Sequence, residues 1–176
     1  MRSKYIMTVT GQDRPGIVAD VTQALFELGC NLEDSSMTRL WDEFALILLF
    51  SCPSQDQESY LKQAFARLEQ EKGLWTSFRP LESKPPKIPK DRQNKHVYIS
   101  CLEQCGVLYR VSTHLYRQGI NIIRLVSSRD FSSASGHMLY NIDLEIELPP
   151  NLGSQELDLE MQRLQQELGA EIRLGE

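Results

Sequence analysis

Hydrophobic positions along the chain change period at regular intervals, and each change marks an element. Met7 and Val9 alternate with Thr8 and Thr10 as the two faces of a half-buried strand do, until Gly11 ends the alternation. From Ile17 the period lengthens. Ile17, Val18, Val21, Ala24, Leu25 and Leu28 form one stripe at helical spacing, each side chain worth about 1.5–3 kcal/mol when buried. Strands are predicted over about 30–40 and 43–51, joined through Trp41-Asp42-Glu43. Leu61, Ala64, Phe65 and Leu68 then mark a second helix, and Leu74, Thr76 and Phe78 a last strand.

The whole pattern occurs twice. A shift of 90 residues places Val9 on Ile99, Asp13 on Glu103, Gly16 on Gly106, Val21 on Val111, Leu25 on Leu115, Gly29 on Gly119 and Asn31 on Asn121. Further along, a shift of 96 places Phe44 on Tyr140, Leu46 on Ile142, Leu48 on Leu144, Leu61 on Leu157 and Phe65 on Met161. The six extra residues fall in the polar turn around Phe131 to Gly136, where an insertion is tolerated. Each copy reads strand, helix, strand, strand, helix, strand. That order predicts an α+β fold of two ferredoxin-like βαββαβ domains in tandem, with antiparallel sheets and helices on one face. The predicted boundaries are 1–81 for the first domain, 82–94 for a Pro/Lys-rich linker and 95–176 for the second domain.

The linker carries Pro85, Pro86 and Pro89 among Lys84, Lys87, Lys90 and Arg92, a composition that favours an extended, semi-rigid spacer. The two sheets are expected to differ on the face turned away from the helices. Ala45, Ile47 and Leu49 point there in the first copy, whereas Asn141, Asp143 and Glu145 do so in the second. An apolar face of this kind calls for a cover: another chain, the other half of this one, or a partner protein. The acidic stripe is most simply solvated.

With a net charge of −5 and a pI near 5.3, the chain lacks the basic face of a direct nucleic-acid binder. It contains neither an early apolar run nor about 18 consecutive apolar residues, so no signal peptide or membrane span is expected and the reading is cytoplasmic. Cys30, Cys52, Cys101 and Cys105 have no zinc-like or thioredoxin-like spacing and read as buried free thiols.

Candidate chemistry concentrates at the loop Gly11-Gln12-Asp13-Arg14-Pro15-Gly16-Ile17, answered by Gly29-Cys30-Asn31 and the strand that follows. Both are expected to meet at one end of the domain. Pro15 suits a first helical turn, Asp13 can accept its orphan N–H groups, and Gly16 leaves room for close approach of a backbone or small ligand. Free N–H groups at a helix start attract a carboxylate or phosphate. The plainer alternatives are that Asp13 is only a cap, that Asn31 and Asn121 only satisfy turn backbones, and that Arg14 is a solvated charge. His114 takes the place of Ala24 and is expected to be a packed or interface histidine, while His96 and His137 lie on predicted strands with no metal-like spacing.

Asp13-Arg14-Pro15-Gly16-Ile17-Val18, Gly29-Cys30-Asn31-Leu32 and the doubled βαββαβ pattern resemble a pair of ACT domains, small regulatory modules. With Glu33-Asp34-Ser35, Glu43-Phe44 and Leu125-Val126-Ser127 added, the chain is similar to the glycine cleavage system transcriptional repressor family, tandem ACT proteins without a DNA-binding domain. The resemblance implies ligand-dependent regulation without catalysis or a cofactor. It implies a small amino acid, glycine or serine first, bound where the helix-entry loop meets a neighbouring domain. The implied binding residues are Gly11, Gln12, Asp13, Arg14, Pro15, Gly16, Ile17 and Asn31, and in the second copy Glu103, Gln104, Cys105, Gly106 and Asn121. Gln104-Cys105 stands where the family pattern has a Pro before the Gly. The implied macromolecular partner is a regulatory protein such as a DNA-binding activator, with a homodimer also possible and no direct contact with nucleic acid or membrane. Two other classes remain open. One is an interaction module with no small ligand. The other is an acylphosphatase-like hydrolase, suggested by Gln104-Cys105-Gly106 and Arg110 but interrupted by Cys105.

Overall fold

The computed structural model describes residues 3–53, 57–81, 93–131 and 136–175. Residues 82–92 of the expected linker, and 132–135 of the expected insertion, lie outside the described residues. The chain divides into two compact units, Met1–Pro86 and Lys87–Glu176.

The first unit runs β1 (Ser3–Gln12), α1 (Ile17–Glu27), β2 (Asn31–Leu40), β3 (Glu43–Cys52), α2 (Glu58–Lys72) and β4 (Trp75–Pro80). Its sheet has the order β2-β3-β1-β4 with every neighbouring pair antiparallel. Strand β1 pairs with β3 without a break from Ser3 opposite Cys52 to Gln12 opposite Glu43. Alternation along this ladder sends Tyr5, Met7, Val9, Phe44, Leu46, Leu48 and Phe50 to one face, where all are buried against Ile17, Val21 and Leu25 of α1 and Leu61, Phe65 and Leu68 of α2. Aromatic rings fill the centre. Tyr5 stacks on Phe50 with ring centroids 5.6 Å apart, and Phe65 meets Phe78 edge-on at 5.1 Å. The helical stripe is narrower than expected: burial follows the fourfold spacing 17, 21, 25, and Val18, one step around the helix, is 41% exposed.

The second unit repeats the plan as β5 (Asn94–Leu102), α3 (Val107–Arg117), β6 (Asn121–Phe131), β7 (Met138–Glu147), α4 (Ser154–Leu168) and β8 (Glu171–Gly175), in sheet order β6-β7-β5-β8. Val97, Ile99, Ile142, Leu144 and Ile146 are buried against Val107, Val111 and Leu115 of α3 and Leu157, Met161 and Leu164 of α4. The fold class is therefore as expected, two four-stranded βαββαβ units. His137 departs from expectation by lying just before β7, outside any strand.

The units differ in what fills the space between their helices. The first places Ala24 and Ala64 against its core, whereas the second puts His114 and Glu160 at the corresponding positions. Glu160 is buried; it accepts hydrogen bonds from Gln118 Nε2 at 2.9 Å and from Arg163, and His114 Nε2 lies 3.1 Å from its Oε2. That His114 contact is an ion pair in distance but is misaligned for a hydrogen bond. The expected packed histidine is found, facing a carboxylate.

On the outer faces, Ile47 is 48% exposed while Asn141 is knitted into its neighbours, accepting from Ser100 Oγ at 2.8 Å and donating to Asp130 at 2.6 Å. Strand β2, at the edge of its sheet, is exposed at all ten positions. Among the described residues no helix is long and apolar enough to cross a membrane.

The cysteines require a correction. Cys30 and Cys52 are joined in a disulfide, and of the two free thiols Cys101 is buried but Cys105 is exposed. Periodicity could not reveal the pair, because only folding brings the α1–β2 turn beside the end of β3. Glu160→Ala is predicted to lower the stability of the second unit by about 1–3 kcal/mol, read from its denaturant midpoint, because Gln118 and His114 are left facing an unfilled polar gap.

Candidate functional site

Strand register decides what surrounds the helix-entry loop. Because Gln12 faces Glu43, the chain leaving β1 passes beside the β2–β3 hairpin, and the Asp13 N–H donates to Asp42 O at 2.6 Å. Trp41 turns that hairpin with φ of 59°, a left-handed conformation that costs a side-chain-bearing residue about 1–2 kcal/mol. Its carbonyl accepts a hydrogen bond from Arg39 Nε at 3.1 Å, and Arg39 Nη1 reaches Asp13 Oδ2 at 3.3 Å. A guanidinium from β2 and a carboxylate from the loop thus stand together at the entrance to α1.

The second unit reproduces this arrangement with different residues. The Glu103 N–H donates to Met138 O at 3.1 Å, and Arg129 Nε lies 3.0 Å from Glu103 Oε1. Arg129 is opposite Tyr140 on the ladder, as Arg39 is opposite Phe44. Glu103, Gln104, Cys105, Gly106 and Arg129 line a cavity of about 580 Å³ together with Tyr109 and Tyr140. Arg39 and Arg129 were absent from the sequence-derived site. The signal was available, since the shift of 90 that maps Asp13 onto Glu103 also maps Arg39 onto Arg129.

Both helices start at a glycine in the left-handed region, Gly16 at φ 87° and Gly106 at φ 80°, with no side chain capping either one. Asp13 is accordingly not a cap, its carboxylate being turned to Arg39. Pro15 lies in the turn ahead of Gly16 and not in the first helical turn. A Cβ built at Gly16 or Gly106 would meet nothing within 4 Å, so backbone conformation sets these glycines and open space lies above them. Gly11 has the opposite reason: a Cβ there would come within 2.9 Å of Leu74 Cδ2, which makes it a packing glycine beside the α2–β4 turn. Ile17 is a core residue, and Gln12 is exposed at the end of β1.

Asn31 and Asn121 do not join these loops within their units. Asn31 faces Ser51 whereas the loop emerges beside Glu43, eight residues away along β3 or about 27 Å at about 3.4 Å per residue. Asn121 faces Glu147, at the opposite end of β7 from the partner of Leu102. Helix α1 carries the chain from one end of the sheet to the other, so the two sequence motifs flank opposite ends of one element.

Charges behind the loops are arranged differently. In the first unit Arg14 Nη2 donates to Asp20 Oδ2 at 2.6 Å and Lys72 Nζ lies 3.2 Å from Asp20 Oδ1. The hydrogen bond from Arg14, then that from Lys72, holds the Asp20 carboxyl below the usual carboxylate range. In the second unit Arg110 replaces Asp20 and is tied to the end of α4, donating to Glu167 O at 2.7 Å and pairing with its carboxylate at 3.2 Å. Gln104 Nε2 similarly donates to Leu168 O at 3.1 Å. The arginine on which the hydrolase alternative rests is thus employed in fastening a helix terminus.

Chemically, each loop sets a positive and a negative group together ahead of a helix start that no side chain caps. An exposed ion pair is worth only about 0–1 kcal/mol, so a ligand carrying both charges can open it at little cost and remake each half. Because the folded-state pKa of Asp20 is lowered, its contribution to stability is present above the ordinary carboxylate pKa and is lost as pH falls through the folded value. Asp20→Asn is predicted to flatten the acid limb of the stability profile below about pH 4; an unchanged limb in urea titrations would remove the Arg14–Asp20–Lys72 link from the account.

Comparison with known proteins places this geometry in a family. The ACT domain profile matches residues 4–79. A UPF0237 protein of Streptococcus pneumoniae is 39% identical over 62 residues, which are 35% of this chain and 70% of that protein. The glycine cleavage system transcriptional repressor of Escherichia coli is 46% identical over 46 residues, 26% of this chain and 24% of the repressor, so the match spans about a quarter of that protein. The crystal structure of an unknown protein from Galdieria sulphuraria is similar over 99% of this chain and 98% of that one, with a TM-score of 0.83 and 26% identity. The doubled βαββαβ order and these likenesses agree: the chain belongs to the ACT-domain family, with two units of that fold in tandem.

Proposed function

We propose that the protein is an amino-acid-responsive regulator of transcription that acts through a protein partner. The observation carrying this reading is the repeated pairing of a loop carboxylate with a strand arginine at an uncapped helix start, Asp13 with Arg39 and Glu103 with Arg129. A free α-amino acid carries an ammonium and a carboxylate on one carbon. Its carboxylate would take the guanidinium and the helix N–H groups, and its ammonium the Asp13 or Glu103 carboxylate, each charge-assisted contact worth about 1.5–3 kcal/mol.

Ligand binding regulates a partner only when it favours one conformation over another. The helix-entry loop is suited to this, since the same Asp13 holds the β2–β3 hairpin through its N–H and Arg39 through its carboxylate. Displacing Arg39 toward a ligand would alter the edge strand β2, whose ten residues are all exposed to a partner. The net charge of −5 supports a protein partner, such as a DNA-binding activator, over DNA itself. The likeness to the glycine cleavage system transcriptional repressor supports glycine catabolism as the regulated process and glycine or serine as the ligand.

Thermal unfolding against a panel of free amino acids tests this. Glycine or serine at about 100 times its dissociation constant is predicted to add about 2.7 kcal/mol to the unit that binds it. Arg39→Ala and Arg129→Ala are predicted to remove the response of their own units while leaving the unliganded midpoint within about 1 kcal/mol of the parent. No shift with any amino acid at millimolar levels, or a shift surviving both arginine substitutions, would contradict the reading.

A further inference from the structure

The two units serve as controls for one another at the corner where the first helix meets its following strand. In the first unit Gly29, at φ 67°, turns the chain from α1 to β2, with Gly29 N–H donating to Phe26 O at 2.9 Å and Cys30 N–H to Leu25 O at 3.0 Å. In the second, Gly119 is at φ 69°, and the corresponding bonds run from Gly119 to Tyr116 and from Ile120 to Leu115, both at 3.0 Å. Even the proline above each glycine matches, Pro53 Cγ at 3.8 Å and Pro149 Cγ at 3.9 Å from a Cβ built there. The backbone turn and the proline above it are thus the same in both.

The side chains closing the corner are what change, and Gln57, whose Nε2 donates to Leu28 O at 3.4 Å, has only Gly153 at its place in the second unit. Ile120 and Leu148 fill it in the second unit, both buried, while Cys30 and Cys52 occupy the same two places in the first and are bonded to each other across 22 residues. The second unit demonstrates that this corner closes on aliphatic contact alone. A cystine there is therefore not a requirement of the fold, and it adds a chemistry that Ile120 and Leu148 cannot perform. Its two halves are unequally placed: Cys52 is wholly buried, whereas Cys30 is half-buried.

We propose that Cys30 and Cys52 form a thiol–disulfide switch that fastens or releases the α1–β2 corner of the first unit and has no counterpart in the second. A thiolate of a small dithiol attacks Cys30 Sγ, forming a mixed disulfide as Cys52 leaves with the electron pair of the S–S bond and takes up a proton. The second thiol of the reagent then closes on its own bound sulfur and frees Cys30 as a thiol. The protein gains two protons and two electrons, and the dithiol, losing the same, becomes a cyclic disulfide. Release matters because Cys30 directly precedes β2, the edge strand that carries Arg39 near its other end. Reduction leaves two small thiols where the second unit has two larger aliphatic side chains, and the start of β2 loosens.

The experiment uses the full chain, equilibrated in buffers of reduced and oxidised dithiothreitol, quenched with an alkylating agent and read by mass spectrometry, with hydrogen exchange on the same samples. Cys30 and Cys52 are expected to become alkylated together in one two-electron transition under native conditions, while exposed Cys105 reacts throughout. Amides of residues 29–33 and 50–52 are expected to exchange at least about tenfold faster after reduction, and those of 119–123 and 146–148 to stay unchanged. The double substitution Cys30→Ile and Cys52→Leu, which installs the second unit's pair, is expected to abolish the response to dithiothreitol while keeping the corner protected. The proposal is overturned if the pair resists reduction until the chain is unfolded, if both cysteines stay alkylatable in the oxidising buffer, or if exchange at 29–33 is the same in both states.

Discussion

The unbroken antiparallel ladder between the first and third strands of each unit is the constraint on which the other features depend. Because the side-chain period in a strand is two, one register serves two purposes at once: it sends Tyr5, Met7 and Val9 inward with Phe44, Leu46 and Leu48, and it sets Gln12 against Glu43. A slip by one residue would expose the core. It would equally pull the loop at Asp13 away from the hairpin that delivers Arg39. Stability of the sheet and assembly of the charged loop are thus one requirement, met again in the second unit by Leu102 opposite Leu139 and Glu103 beside Arg129.

Two copies of one fold also show which details the fold demands. Gly16 and Gly106 occupy the same left-handed position, and each loop pairs an acid with an arginine, although one acid is Asp and the other Glu. Other places have diverged freely. Asp20, held ionised by Arg14 and Lys72, is answered by Arg110 fastened to α4; Ala24 and Ala64 are answered by His114 and Glu160; Cys30 and Cys52 by Ile120 and Leu148. What has been kept is the backbone at both ends of the first helix and the acid–arginine pair at its start, and what has changed is the side chains behind and between.

Much of the architecture could be read from the sequence because it rests on local period. The elements, their order, the doubling and the inward-facing residues follow from alternation and helical spacing alone, and the structure departs at single residues such as Val18, one step off a narrow buried stripe. The candidate site was only half legible. Asp13 and Gly16 announced themselves through loop chemistry, whereas Arg39 sits in a polar strand whose sequence gives no sign of which neighbour it will reach. Asn31 is the reverse case, near the loop in the sequence motif and far from it in space, because an eleven-residue helix spans the sheet between them. The disulfide and the hairpin strained at Trp41 were hidden for the same reason, both being products of which strand ends meet.

The account stands most directly on where a small zwitterion makes contact. Proton–nitrogen correlation spectra recorded while glycine or serine is titrated into the intact protein read this residue by residue. The account predicts saturable shifts of the backbone amides at 13–19, 103–109 or both, accompanied in each unit by the side-chain Nε–H of Arg39 or Arg129. Shifts gathered instead at Asn31 and Asn121, or at the helix starts with both arginine signals unmoved, would contradict it.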